Sequence, residues 1–179
     1  MTCIVAFKKD GKVFMGGDSA VTIGYQQQIS TEPKVFQVGE FLIGAAGNSR
    51  NCQIANHWLS PPEQSKNQSD LAYMCTSFAM ALQEAFTAAG VDFKSDNFSV
   101  GLIVGYRGEL YSVGSDFSMT VLEEDYMTEG SGAEIANGAM AILTSHLPKM
   151  KPHLMVQAAL TASCRHCWGV LPPFCILSI

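Results

Sequence analysis

Short β-rich runs in this chain are joined in pairs by two-residue turns, and this pairing restricts the fold more than any other feature. Cys3–Lys9 and Lys12–Asp18 flank Asp10-Gly11, a dipeptide suited to the left-handed backbone of a tight hairpin. Val35–Val38 and Phe41–Ala46 repeat the pattern around Gly39-Glu40. Gly47-Asn48-Ser49 then reads as a turn into a helix, with Asn48 or Ser49 as its cap. Ser60-Pro61-Pro62 ends that helix. From Asp70 to Ala89 the residues Leu71, Met74, Cys75, Phe78, Leu82, Ala85, Phe86 and Ala89 recur at helical spacing.

The second half repeats the order. Phe98–Tyr106 is an apolar strand, Arg107-Gly108 turns it into Leu110–Val113, and Thr120–Glu123 is expected to continue the sheet. Gly130-Ser131-Gly132 opens a helix through about His146. Pro152 starts another that ends near Arg165, and Phe174–Ile179 returns as a strand. Strand blocks and helix blocks are segregated, which argues for α+β layers over a doubly wound sheet. Two antiparallel sheets face to face, each with a helix pair outside, would bury every apolar face named.

The 179 residues fit one domain, 1–179, with no linker or repeat. Hydrophobic residues make up 47% and charged residues 15%, so further surface is expected to be buried against copies of the chain or a partner. A net charge of -5 and the lack of any basic run argue against nucleic-acid binding. No apolar stretch is long enough for a membrane span, and the charged start is no secretory signal. A cytoplasmic protein is expected. The six cysteines fall mostly in apolar runs, as small buried hydrophobes do. Cys164-Arg165-His166-Cys167 lacks the second ligand pair of a zinc site, so no metal is expected.

Against this frame stands Thr2, directly behind Met1. Asp18 follows sixteen positions on, and Lys34 sixteen beyond that. Once Met1 is removed, Thr2 carries a nucleophilic hydroxyl and a free α-amine, and can act as its own general base. Each residue also has an ordinary explanation: a turn aspartate, a surface lysine, a turn glycine at 47, a helix-start serine at 131. Their joint spacing on one strand-strand-helix frame favours a site.

In these residues the chain resembles the proteasome β-subunit family, including bacterial HslV-type peptidases. The matching stretches are Thr2-Cys-Ile-Val-Ala, Gly16-Gly17-Asp18-Ser19-Ala20-Val21-Thr22, Lys34-Val35 and Gly44-Ala45-Ala46-Gly47, with Gly130-Ser131-Gly132 ahead of a helix. The resemblance implies a four-layer αββα sandwich of the N-terminal nucleophile hydrolase type and a threonine endopeptidase without cofactor. It implies polypeptide substrates, a homo-oligomeric ring, and an ATPase unfoldase as partner for folded substrates.

By resemblance, Thr2 attacks the scissile carbonyl and Lys34 lowers the proton affinity of the Thr2 amine and hydroxyl. Asp18 holds Lys34 charged and in place. The Gly47 backbone N–H stabilises the oxyanion, and Ser131 bonds near the Thr2 amine. Thr22, Gly24 and Gly47 are the substrate-binding candidates, pairing with an extended peptide as an added strand. Exposure of Thr2 is expected to need only the loss of Met1. The family usually places an aspartate after the last long helix, but Ser163–Trp168 contains no acid. Either another group substitutes or the site is weakened. A non-catalytic ring or scaffold subunit, and an amidase acting on a small molecule, are the competing readings.

Overall fold

The computed structural model describes residues 1–92 and 98–179. The chain is α+β, and its strands pair as antiparallel neighbours. β1 (Ile4–Lys9) and β2 (Lys12–Gly17) form the first hairpin, turning at Asp10 and Gly11, both at positive φ. β10 (Tyr126–Glu129) pairs with the free edge of β1, and β11 (Cys175–Ser178) with that of β2. A five-stranded sheet runs in the order β5 (Val35–Val38), β6 (Phe41–Gly47), β7 (Val100–Tyr106), β8 (Glu109–Val113), β9 (Met119–Thr120). β3 (Ala20–Ile23) and β4 (Gln26–Ile29) make a separate hairpin.

Alternation along β1 shows how the apolar residues are used. Cys3, Val5 and Phe7 join Met140 of α4 (Ala133–His146) and Met155, Val156, Ala159 and Leu160 of α5 (Pro152–His166) in one buried cluster. Ile4 and Ala6 face the other way and pack with Met15, Val35, Leu42 and Ile103. Both faces of β1 are therefore covered, and the strand reads as an unbroken apolar run for that reason. A third cluster joins Ile43, Ala45, Leu102 and Val104 to Ile54 of α1 (Ser49–His57) and to Met74, Phe78, Leu82 and Phe86. Each fully buried Leu, Ile or Phe contributes roughly 1.5–3 kcal/mol. Gly44 is needed where the first sheet approaches the second: a Cβ there would lie 2.4 Å from Ile4 Cγ2.

Several expectations require correction. Asp70–Ala89 is not a regular α-helix: α2 (Asp70–Tyr73) leads into a π turn (Met74–Phe78) and then α3 (Ala79–Ala88). A π turn rotates each residue through a smaller angle than an α-helix, which shifts the buried face upstream. Tyr73 is buried, while Leu71 is half exposed and Cys75 is exposed. Cys75 thus departs from the expected burial of the cysteines. The strand expected at Thr120–Glu123 stops at Thr120, with Val121 and Leu122 exposed. The β3–β4 hairpin and β10 were not expected at all; each is short, and β4 is mostly glutamine.

Candidate functional site

Thr2 sits just ahead of β1 and is 8% exposed. The loop 130–132 encloses it. Thr2 N donates to Ser131 Oγ at 3.1 Å, Ser131 Oγ donates back to Thr2 O at 3.2 Å, and Gly132 N donates to Thr2 O at 3.1 Å. Gly130 has φ +94°, and a Cβ there would come within 2.5 Å of Thr2 O. Only glycine permits so close a wrap.

Asp18 directly follows β2 and is 1% exposed. Its Oδ1 accepts from Cys3 N at 2.8 Å and its Oδ2 from Ala20 N at 2.9 Å. Lys34 Nζ donates to both oxygens, at 2.9 and 3.0 Å, and also to Met1 O at 3.0 Å. The carboxylate therefore fixes the backbone at the entry to β1 and at the start of β3, and holds an ammonium beside residues 1 and 2. Lys34 reaches this point from the residue before β5, and its carbonyl accepts from Ala45 N of β6.

Gly47 closes β6 at φ +117°, where a Cβ would lie 2.5 Å from Ser99 O. Asn48 caps α1 by accepting from Arg50 N at 2.9 Å. Thr2 and Gly47 line two cavities, one on the Lys34 side and one on the Ser131 side. Thr22 lines the first. Gly24 lines neither; it lies exposed at the tip of the β3–β4 hairpin at φ +59°. Thr2, Asp18, Lys34, Ser131, Gly47 and Thr22 are thus brought together, and Gly24 is not.

Sequence reasoning missed other participants. The acid-free stretch after α5 reaches the same loop: Ser163 Oγ donates to Gly132 O at 2.9 Å, and Cys167 Sγ lies 3.6 Å from Ser131 O. Ser19 N donates to Leu171 O at 2.9 Å, tying the final crossing segment to the Asp18 turn. Glu129 Oε1 accepts from Gly130 N at 3.0 Å and steadies the start of the loop. An acid immediately before Gly-Ser-Gly was the available signal. Burial pushes the Cys3 and Cys52 thiols up to about 11, so both stay protonated near the site at neutral pH. Among the described residues no cluster of His, Cys, Asp and Glu could hold a metal, and Cys164 and Cys167 are free thiols.

The architecture is similar to solved proteasome-like structures. The BPH protein of Thiobacillus denitrificans in complex with epoxomicin superposes with a TM-score of 0.77 at 14% identity, covering 99% of this chain and 97% of that one. HslV of Trypanosoma brucei gives 0.69 at 17% identity, covering 98% of each. Anbu, the ancestral beta-subunit, of Yersinia bercovieri gives 0.68 at 14%, covering 99% of this chain and 81% of that one. No curated protein sequence matches. The sequence model of the family described as "Proteasome subunit" matches residues 1–162, nearly the whole length, and on that match the chain belongs to the proteasome subunit family.

Proposed function

We propose that the chain is a threonine-type endopeptidase, an N-terminal nucleophile hydrolase that forms the proteolytic subunit of a self-compartmentalising homo-oligomeric ring. The observation that carries this reading is the Lys34 ammonium. Asp18 occupies two of its hydrogen bonds, and the third reaches the Met1 carbonyl, immediately before Thr2. Loss of Met1 frees that third donor and converts the Thr2 nitrogen from an amide into an amine of ordinary pKa about 7.7–8.0.

The amine then takes the proton from the Thr2 hydroxyl, directly or through a water, as the oxygen attacks a peptide carbonyl. Lys34 favours the deprotonated forms of both groups by its charge. The Gly47 N–H faces the developing oxyanion; losing such a donor typically costs about 100-fold or more in rate. Ser131, bonded to Thr2 N, passes or holds a proton at the amine. An extended polypeptide adds as a strand between Thr22 and Gly47.

The three buried clusters support a four-layer αββα sandwich forming one domain over 1–179. Its exposed apolar side chains support packing into a ring. A cytoplasmic location and an ATPase unfoldase belong to the same reading. No helix among the described residues is long and apolar enough to cross a membrane.

The test combines mass and activity. The mature protein should begin at Thr2. A threonine-directed covalent inhibitor should add its mass to that residue, and epoxomicin, held by the Thiobacillus relative, is a suitable candidate. Thr2→Ala should abolish peptide cleavage and leave assembly intact. Retained Met1 with no adduct would favour the scaffold reading, and appreciable cleavage by Thr2→Ala would remove Thr2 as nucleophile.

A further inference from the structure

The two cavities beside Thr2 each contain one acidic side chain that, among the described residues, no lysine or arginine neutralises. The cavity on the Lys34 side, about 150 Å³, has Ala20, Ala45 and Cys52 in its wall, with Glu32 and Gln53. Its one cation, Lys34, is already matched by both Asp18 oxygens. Among the described residues Glu32 Oε2 accepts from the neutral Gln53 amide alone, at 2.9 Å. Glu32 Oε1 lies 3.3 Å from His57 Nε2, but that side chain is 62% exposed and outside the cavity lining.

The cavity on the Ser131 side, about 490 Å³, includes Gly101, Ser112, Ser115 and Glu129 in its lining. Glu129 is its one charged side chain among the described residues, and its Oε1 accepts from the Gly130 N–H. A carboxylate in a partly dehydrated wall attracts a cation more strongly than it would in open water, and repels an anion equally. The apolar wall beside Glu32 suits a methylene stem with a charged head.

We propose that this chain selects peptide segments carrying lysine or arginine on both sides of the bond it cuts, with Glu32 and Glu129 as the specificity-determining carboxylates, one for each side. This rests on the peptidase reading above. The scissile bond lies at Thr2, between the two cavities, so the side chains flanking it enter opposite ones. Acidic flanking residues meet a like charge on either side and are disfavoured.

The mature protein is incubated with an unbiased peptide library, and cleavage sites are read by mass spectrometry. Lysine and arginine should be enriched on both sides of the cut. Glu32→Gln should lower that enrichment about ten-fold on one side, and Glu129→Gln similarly on the other. Glutamine keeps the acceptor that holds Gly130, so charge is removed with little change of shape. Glu32→Lys should turn the preference on its side toward aspartate and glutamate. No enrichment in the wild type, enrichment that neither substitution moves, or both substitutions acting on one side would overturn the assignment and leave the peptidase standing. Cleavage of no peptide, with Thr2 unmodified by the covalent inhibitor, would overturn the peptidase reading and this one with it.

Discussion

Asp18 and Lys34 form one ion pair, yet they stand in different surroundings. The Asp18 side chain is fully buried and binds the Cys3 and Ala20 backbone N–H groups as well as the ammonium. The Lys34 side chain is 15% exposed and lies at the mouth of a cavity. Removing Asp18 leaves a part-buried cation and the backbone N–H groups of Cys3, Ala20 and, more distantly, Leu171 without their acceptor. A loss of about 3 kcal/mol is expected for Asp18→Ala, or roughly 6–12 °C in Tm for a chain of this length. Lys34→Ala leaves Asp18 its backbone donors and lets water in from the cavity. Its Tm should fall by less than half as much, while peptide turnover is lost. Thermal unfolding of both variants, followed by circular dichroism beside a cleavage assay, checks the asymmetry. Equal destabilisation would make Lys34 a structural residue. The spacing of Thr2, Asp18 and Lys34 was legible because side-chain chemistry is written in the sequence. The hold of Asp18 on Cys3 and Ala20 was not, since every residue but proline offers the same backbone donor.

Among the elements, hairpins and helix boundaries followed their local signals closely. The turns at Asp10-Gly11 and Arg107-Gly108 have the positive φ that their glycines permit, and α5 starts at Pro152. What escaped were segments whose burial is decided by neighbours. β10 is four residues long and buries Met127 alone; it exists because β1 has a free edge. The π turn in the Asp70–Ala88 helix reversed two side chains. Simple periodicity buries Leu71 and exposes Tyr73, whereas Tyr73 is 1% exposed and Leu71 50%. Tyr73 lies against Phe41 and Tyr106, with ring centroids 6.2 and 5.6 Å away, and its hydroxyl donates to Pro62 O at 2.6 Å. Tyr73→Ala should therefore cost about 3–5 kcal/mol, as for other large aromatic truncations. Leu71→Ala should stay within about 0.5 kcal/mol. Denaturant unfolding separates the two, and a larger loss at Leu71 would mean a regular α-helix through this segment.

At the scale of the whole molecule, the apolar composition is only partly consumed by the three clusters. Ile142, Leu147 and Leu154 are 59%, 52% and 40% exposed on or beside α4 and α5. Met80, Leu71 and Trp58 are 59%, 50% and 47% exposed on or beside the helices of the other cluster. Scattered exposed apolar residues are ordinary on a monomer. Here they occur on helices at both ends of the packing order, beside a charged fraction of only 15%. A peptidase with an open groove that reads backbone would also attack its surroundings unless its site were enclosed. Both arguments lead to the same expectation: the mature protein should run in size-exclusion chromatography with light scattering at a mass many times the 19.3 kDa chain, and particle images should show closed rings. Met80→Glu and Ile142→Glu place a charge on each helix side in turn. At least one of them should shift the particle to smaller species while far-UV circular dichroism is retained. A wild-type monomer or dimer that still cleaves peptides would separate the chemistry of Thr2 from any ring, and the reading would then move toward an amidase with a small substrate.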